Sequence, residues 1–386
     1  GLGWNIHNES FVTSSKIDIL KIRGSLGYTG KVNFSPFQAM TMYQFSGDLE
    51  YLNGIGAVPQ GIGNEDLGWE RELSYNLGTD ISLFDRRLNF TFDIYLKKTT
   101  DLVLDASRAP STGTTSAKEN IGEMENKGLE FQVDGMLVQR NDFYWQVAAT
   151  GSMNRNRILK INSALKKANE DANKVDSKTP LAQYEEGEST TALKVVKSAG
   201  IDPATGQEVF IKLNGERTFE YSADDKFVIG DTEPRFRGTV STNLLYKGFS
   251  LYLLGRYECG AYLYNETRAT KVEGANPKKN ADKRVFDSRW KNPGDIAFYK
   301  DIADSDGWGT NPKHSDRFVE KENVFTLGTV NFGYEFGQNI CSKIGVRNLR
   351  VGVNLTDIVR WSNVKIERGT TYLYSNGFEF TLSTTF

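Results

Sequence analysis

The chain of 386 residues carries 47 Lys and Arg against 49 Asp and Glu, a net charge of -2, so no basic field points to nucleic acid. Mean hydropathy is -0.48, and no run approaches the roughly 20 apolar residues of a membrane helix, which excludes helical spans but not membrane strands. Aromatic residues at 12% and 37 glycines suit an all-β protein with many turns. Cys259 and Cys341 supply neither a disulfide framework nor metal-ligand spacing.

The opening GLGWNI reads as strand from its first residue and lacks a signal-peptide pattern, so the chain is expected to begin within a fold. Over 20–28, Leu20, Ile22, Leu26 and Tyr28 share one parity, and Lys21, Arg23 and Ser25 the other. Side chains of a strand alternate between faces, so this is a two-faced strand. The pattern returns over 72–83, with Leu73, Tyr75, Leu77 and Ile81 opposite Asn76, Asp80 and Ser82. Over 88–97, Phe90, Phe92, Ile94 and Leu96 oppose Asn89, Thr91 and Asp93. Further strands are predicted over 128–138, 144–153, 236–246, 249–257, 324–336 and 349–355. The chain closes on GFEFTLSTTF, with Phe378, Phe380, Leu382 and Phe386 on one face. The total is about eleven strands.

The connections alternate in length. Tight polar turns (FDRR over 84–87, QRND over 139–142, YKG over 246–248) separate long stretches over 31–69, 98–127, 154–234, 258–323 and 357–376. A medium connection, 337–348, falls on the short side. An up-and-down meander with turns on one rim and large loops on the other is the plan of an outer-membrane barrel. Periodicity alone fits a soluble sandwich equally well, with the apolar parity in a packed core. The asymmetry of the connections and the aromatic end favour the barrel, with a wet lumen and a lipid-facing apolar parity.

Candidate chemistry is sparse. His7 lies in the polar parity of the first strand and His314 in a long connection, and structural or solvated roles suit both better than catalysis. No nucleophile-elbow, zincin or Walker-type motif is present, and NGIGAVPQGIGNED lacks the lysine and strand–helix context of a phosphate cradle. Glu185 and Glu186 are adjacent on a connection, which does not create the spacing of a glycosidase pair. DIADSDGWG places Asp304 and Asp306 before Gly307, but Ile302 and Lys313 stand where a calcium loop needs ligands, so a turn is expected. SALKKANEDANK over 163–174 reads as a short polar helix or loop tip without a membrane-surface stripe. Trp290, Tyr299, Trp308 and Trp361 offer planar rings for sugar stacking, or else loop anchors and an interfacial girdle. No catalytic, metal or cofactor-binding residue is assigned, and no substrate-binding residue, because selectivity lies in loops without a readable code.

Several segments stand in one order: GLGWNIHNESF, LKIRGSLGYTG, NEDLGWE, YNLGTDISLFDRRLNFTFDIYLKKTTDLVL, STGTTSAKENIGEMENKGLEF, NRNRILKI, AGIDPATGQ, IGDTEPRFRGTVSTNLLYKGFSLYLL and HSDRFVEKENVFTLGTVNFGYEF. Together they resemble the C-terminal part of SusC/RagA-type TonB-dependent outer-membrane transporters of Bacteroidota, over almost the whole chain. After VNLTDIV the text RWSNVKIERGTTYLYSNG departs from the family's usual loop.

The resemblance implies a transmembrane antiparallel barrel of about 22 strands, about half of it in residues 1–386, with the long connections outside the cell. It implies a plug domain that has no counterpart in this chain, which is therefore expected to be a C-terminal piece: a fragment, a cleaved product or part of something longer. It also implies uptake of oligosaccharides or oligopeptides, energised by TonB, together with a SusD-like lipoprotein lid and in a dimer of transporter–lid pairs. The terminal aromatic would be an address for outer-membrane assembly, and closure of the barrel would remove the free strand edge. Two other readings remain: a passive porin-like or adhesin barrel, and a secreted soluble β-protein binding glycans.

Overall fold

Apolar–polar alternation becomes one large antiparallel sheet. The computed structural model describes residues 1–33, 35–51, 54–107, 116–174, 180–181, 183–276, 280–302, 313–366 and 375–386. The strands, in chain order, are β1 (Leu2–Asn5), β2 (Ile17–Lys31), β3 (Met42–Tyr51), β4 (Gly54–Gly61), β5 (Glu70–Leu83), β6 (Leu88–Ser107), β7 (Ser116–Arg140) and β8 (Phe143–Ile161). They continue as β9 (Ala192–Ile201), β10 (Glu208–Ile211), β11 (Arg217–Thr218), β12 (Lys226–Asp231), β13 (Phe236–Tyr246), β14 (Phe249–Tyr264), β15 (Val319–Glu335), β16 (Asn348–Ser362) and β17 (Gly377–Thr385). Eleven of them form the main sheet in the order β1-β2-β5-β6-β7-β8-β13-β14-β15-β16-β17. Every neighbour in that sheet is the next main-sheet strand in sequence, so the meander expected from the sequence is the observed topology.

Register keeps the two faces separate from edge to edge. Leu77 pairs with Ile94, Ile94 with Leu129, and Leu129 with Met153. On the far side of the sheet Leu251 pairs with Phe332, Phe332 with Val353, and Val353 with Phe380. The opposite parity pairs Asp80 with Thr91, Thr91 with Gln132, Gln132 with Thr150 and Thr150 with Thr239. A slip of one residue would exchange the faces; at the β-bulge between Leu327 and Thr329 the apolar positions of β15 change from odd numbers before it to even numbers after it, which keeps the faces separate across it.

The strands outrun the bounds read from alternation. β7 has 25 residues, about 80 Å at roughly 3.3 Å per residue, whereas about ten residues cross a bilayer. β6 and β7 pair through to Ser107 and Ser116, deep inside the stretch 98–127. Their far parts, over 98–107 and 116–127, no longer follow the apolar parity. Two other long stretches fold into sheets of their own: β3 and β4 form a hairpin, and β9 to β12 form a four-stranded sheet in the order β11-β10-β9-β12. Helix α1 (Ser163–Lys174) follows β8, with the bounds expected for the short polar helix.

The hairpin turns share one rim. Lys247 and Gly248 adopt positive φ of 45° and 88°, the two-residue turn that fits strand twist. Lys247 N–H donates to Asp142 O at 3.1 Å and Glu335 N–H to Gly248 O at 2.9 Å, which stitches neighbouring turns together.

Burial is inverted relative to a soluble sandwich. The apolar face is exposed across the sheet, for example Leu77 at 52%, Phe332 at 47% and Phe380 at 64%. Fully buried apolar side chains include Val195, Val196, Val272 and Phe318 among the connections, and Val103 near the far end of β6. An apolar surface spanning eleven strands is far beyond what a water-soluble monomer leaves open, and hydrocarbon is the medium that matches it. Within that face the wall curves at glycines covered by aromatic rings. Phe236 stacks on Phe131 at 6.2 Å and on Tyr257 at 5.2 Å over Gly151 and Gly238, and Tyr257 Oη donates to Thr150 O at 2.6 Å.

Candidate functional site

The polar face is a continuous hydrogen-bonding surface. Arg23 on β2 donates through Nε to Asp80 on β5 at 2.9 Å and through Nη2 to Asp93 on β6 at 2.7 Å. Further along, Tyr95 Oη donates to Asn154 at 3.2 Å, and Asn154 and Asn156 both donate to Asn126 Oδ1. A cavity of about 370 Å³ opens on this face, lined among others by Asp93, Glu130, Gln132, Thr150, Ser152 and Arg237. Asp93 Oδ2 accepts from Arg23, while its Oδ1 is buried and has no hydrogen-bond partner among the described residues. The residues of this face bear charged, amide and hydroxyl groups, so they can hold a polar ligand by hydrogen bonds.

Above the wall, the connection carrying β9–β12 and the one between β14 and β15 are locked together. Arg317 lies at their junction, 6% exposed. Its Nε and Nη2 donate to the two oxygens of Glu208 on β10 at 2.7 and 2.6 Å. Nη1 and Nη2 donate to Glu273 at 2.9 Å each, and Nη1 also to Phe298 O at 2.6 Å. All five guanidinium N–H donors are thus used. Burial opposes the charge of Arg317, but Glu273 and Glu208 outweigh it, so the guanidinium is held firmly protonated.

Arg289 completes the charge balance, donating to the carbonyls of Val285, Val272, Glu273 and Lys300 between 2.6 and 3.1 Å. Around these groups Ala269, Val272, Tyr299 and Phe318 form an apolar cluster. The turn Asp202–Gln207 plugs into the same block. Trp290 Nε1 donates to Pro203 O at 2.9 Å, and its ring lies so close over Gly206 (φ 73°) that a Cβ there would collide with it. Asp301 N–H then donates to Gly206 O at 3.0 Å.

The residues singled out in the sequence scatter through this frame. His7 sits in a turn after β1, not in the strand itself, and Leu20 N–H donates to its Nδ1 at 3.3 Å. His314 is buried, edge-on to Tyr264 with ring centroids 5.7 Å apart. Glu185 pairs with Lys194 at 2.6 Å, while Glu186 accepts from Ile161 N–H at 3.1 Å, so the two carboxylates serve different partners. Trp290 and Tyr299 are buried loop anchors. Trp361 lies on β16, exposed on the apolar face beside Phe325 at 5.7 Å, the position of a girdle aromatic. Asp304, Asp306, Gly307 and Trp308 lie outside the described residues; of the flanking pair, Lys313 sits over the Tyr221 ring at 5.7 Å. The glycine-rich stretch 54–61 is strand β4. Cys259 and Cys341 are both free thiols. Sequence reading missed Arg317, Glu208 and Glu273, because partners 109 and 44 residues apart leave no local pattern.

Comparison with known proteins agrees with this geometry. Residues 2–195 match the family described as TonB dependent receptor-like, beta-barrel. TonB-dependent receptor P39 of Formosa agariphila is 26% identical over 94% of this chain and 38% of its own length. TonB-dependent receptor SusC of Bacteroides thetaiotaomicron is 25% identical over 70% of this chain and 28% of its length. The solved structure of the RagAB peptide transporter superposes with a TM-score of 0.77 at 20% identity, over 94% of this chain and 39% of that one, which shows a shared fold. The chain thus spans less than half the length of the relatives it matches. With its meander, its two-faced wall and this match over half its residues, the chain belongs to the TonB-dependent receptor-like β-barrel family and resembles its SusC and RagA members.

Proposed function

We propose that the chain forms part of the wall of an outer-membrane importer that takes up oligosaccharides or oligopeptides, energised through TonB and covered by a SusD-like surface lipoprotein. One observation carries this reading: a hydrocarbon-matching face and a hydrogen-bonding face share a single sheet beneath long connections locked into a block. The main sheet ends in two open edges, β1 and β17, which do not pair with each other. Unpaired backbone groups in lipid cost several kcal/mol each, so further strands complete the barrel. An equal number again would give about 22 strands.

In this reading the short turns face the periplasm and the long connections face outward. A plug, strands beyond β1, TonB and the lipoprotein all act together with this wall, and transporter–lid pairs associate as dimers. The polar face binds and passes its ligand and performs no covalent step, so the protein is not an enzyme. The test is uptake of labelled oligosaccharide and oligopeptide mixtures by cells that make the protein. Deleting its gene, or TonB, is expected to abolish uptake of one of these classes. Uptake that is lost with the gene but persists without TonB would replace the importer by a passive pore.

A further inference from the structure

The connections on the short rim carry six cationic side chains, Lys16, Arg86, Arg87, Lys247, Lys343 and Arg347, against three carboxylates. All six are exposed, and none has an ion-pair partner among the described residues. Ion pairs elsewhere in the protein engage, for example, Arg23, Lys194, Arg256, Arg268 and Arg317. On the opposite rim the first long connection, 32–69, differs in sign, with four carboxylates and no Lys or Arg.

The short-rim cations stand in a row. Phe84 N–H donates to Lys16 O at 3.0 Å, Met136 N–H to Arg87 O at 2.7 Å, and Arg347 N–H to Thr385 O at 2.7 Å, so these connections are tied to one another or to the neighbouring strand. Directly beneath, on the apolar face, exposed Trp145, Tyr246 and Phe249 form the aromatic edge of the lipid-facing surface. Lys247 leans over the Tyr246 ring at 5.4 Å. Between two of the turns lies a cavity of about 480 Å³ bordered by Arg140, Lys247 and Arg350 and by Phe143, Tyr246 and Phe249, with Asp142 and Glu335 also on its margin.

We propose that this rim is a belt for anionic phospholipid headgroups in the leaflet that the short turns face. The inference rests on the membrane-wall reading above. Aromatic rings at the hydrocarbon boundary, with unpaired guanidinium and ammonium groups just beyond, match the depth order of acyl chain and phosphodiester. Free cations so placed are drawn to a negative surface potential, and Arg adds a fork that fits phosphate oxygens. A phosphatidylglycerol headgroup carries the net charge this row lacks a partner for; a zwitterionic headgroup does not.

The test uses the intact protein in bilayer discs of phosphatidylethanolamine with a minor share of phosphatidylglycerol, and native mass spectrometry of the lipids it retains. Wild type is expected to retain phosphatidylglycerol above its share of the disc. The combined change Arg86→Gln, Arg87→Gln, Lys247→Gln and Lys343→Gln is expected to cut that enrichment about fivefold or more, since a single cation near an anionic surface is worth roughly that factor. Removing as many cations from the other rim (Lys167→Gln, Lys271→Gln, Lys291→Gln, Lys365→Gln) is expected to leave it unchanged. Absence of enrichment in wild type, or an equal fall in both variants, overturns the belt and leaves the membrane wall standing. Extraction of wild type without detergent overturns both.

Discussion

Arg317 and Glu208, 109 residues apart, meet in two parallel hydrogen bonds of 2.7 and 2.6 Å and are both almost fully buried. This pair, with Glu273, joins two connections that leave the wall at different hairpins. Replacing Arg317 alone strands two buried carboxylates, a defect worth about 3–5 kcal/mol. Arg317→Met is therefore expected to make the stretches 192–231 and 265–318 sensitive to protease while the strands below stay protected. Adding Glu208→Gln and Glu273→Gln to the same variant is expected to recover much of the resistance. Protease mapping by mass spectrometry checks both, and unchanged cleavage in Arg317→Met contradicts the clamp.

The wall's curvature depends on close approach at Gly238. A Cβ there would collide with Thr150 O and the Tyr257 hydroxyl, whereas at Gly24 nothing lies within 4 Å. Gly238→Val is expected to reduce the fraction of protein that assembles into folded barrel, and Gly24→Val to leave it near wild type. The shift in mobility between heated and unheated samples on electrophoresis reports that fraction. Equal behaviour of the two variants would remove the packing argument.

Acid sensitivity is expected in a specific loop. Hydrogen bonds from Arg284, first from its side chain and then its backbone, pull the Asp282 carboxyl down to about 2. A depressed carboxyl stabilises the fold above its ordinary value near 3.9 and loses that contribution as pH falls through the folded value. The turn Lys283–Phe286 is thus expected to hold its protection at pH 5 and to loosen between about pH 4 and 2. Asp282→Ala, which also removes the cap, is expected to cost about 0.5–2 kcal/mol at neutral pH and to abolish the acid transition. Hydrogen exchange across 280–290 reads both effects.

Parity along β15 decides where charge is tolerated. Phe332 lies on the apolar face, between Leu251 and Val353, and Asn331 on the polar face, between Tyr252 and Asn354. Phe332→Lys is expected to destabilise the barrel by up to about 1 kcal/mol, because Phe332 lies only two residues from the boundary pair Phe249–Tyr334, and Asn331→Lys by less. Denaturant unfolding in bilayers measures the difference.

The strands were legible because a sheet with one apolar and one polar face imposes a two-residue period on each strand that crosses it. That constraint ends beyond the two-faced part of the wall. The upper halves of β6 and β7 and the β9–β12 sheet, whose side chains pack locally, therefore looked like loop. Helix α1 was legible in its composition, and Leu165 buries against Ile158 and Ile161 without needing a long apolar stripe. Trp290 and Tyr299 were recognisable as either sugar platforms or anchors, and only the contacts with Pro203 and Arg268 show them anchoring. The buried ion cluster could not be read, since its members look like any solvated Arg and Glu until the chain brings them together.

The most direct test of the wall is single-cysteine labelling along β15 in the intact protein in bilayers, in a Cys259→Ala, Cys341→Ala background. Cysteines at 330, 332 and 334 are expected to react only with a lipid-soluble probe, and those at 329, 331 and 333 only with a water-soluble one. Alternation of that kind places the apolar parity in hydrocarbon. Uniform reactivity with the water-soluble probe, or protection of the apolar parity from both, would contradict a membrane wall and return the sheet to a soluble, packed protein.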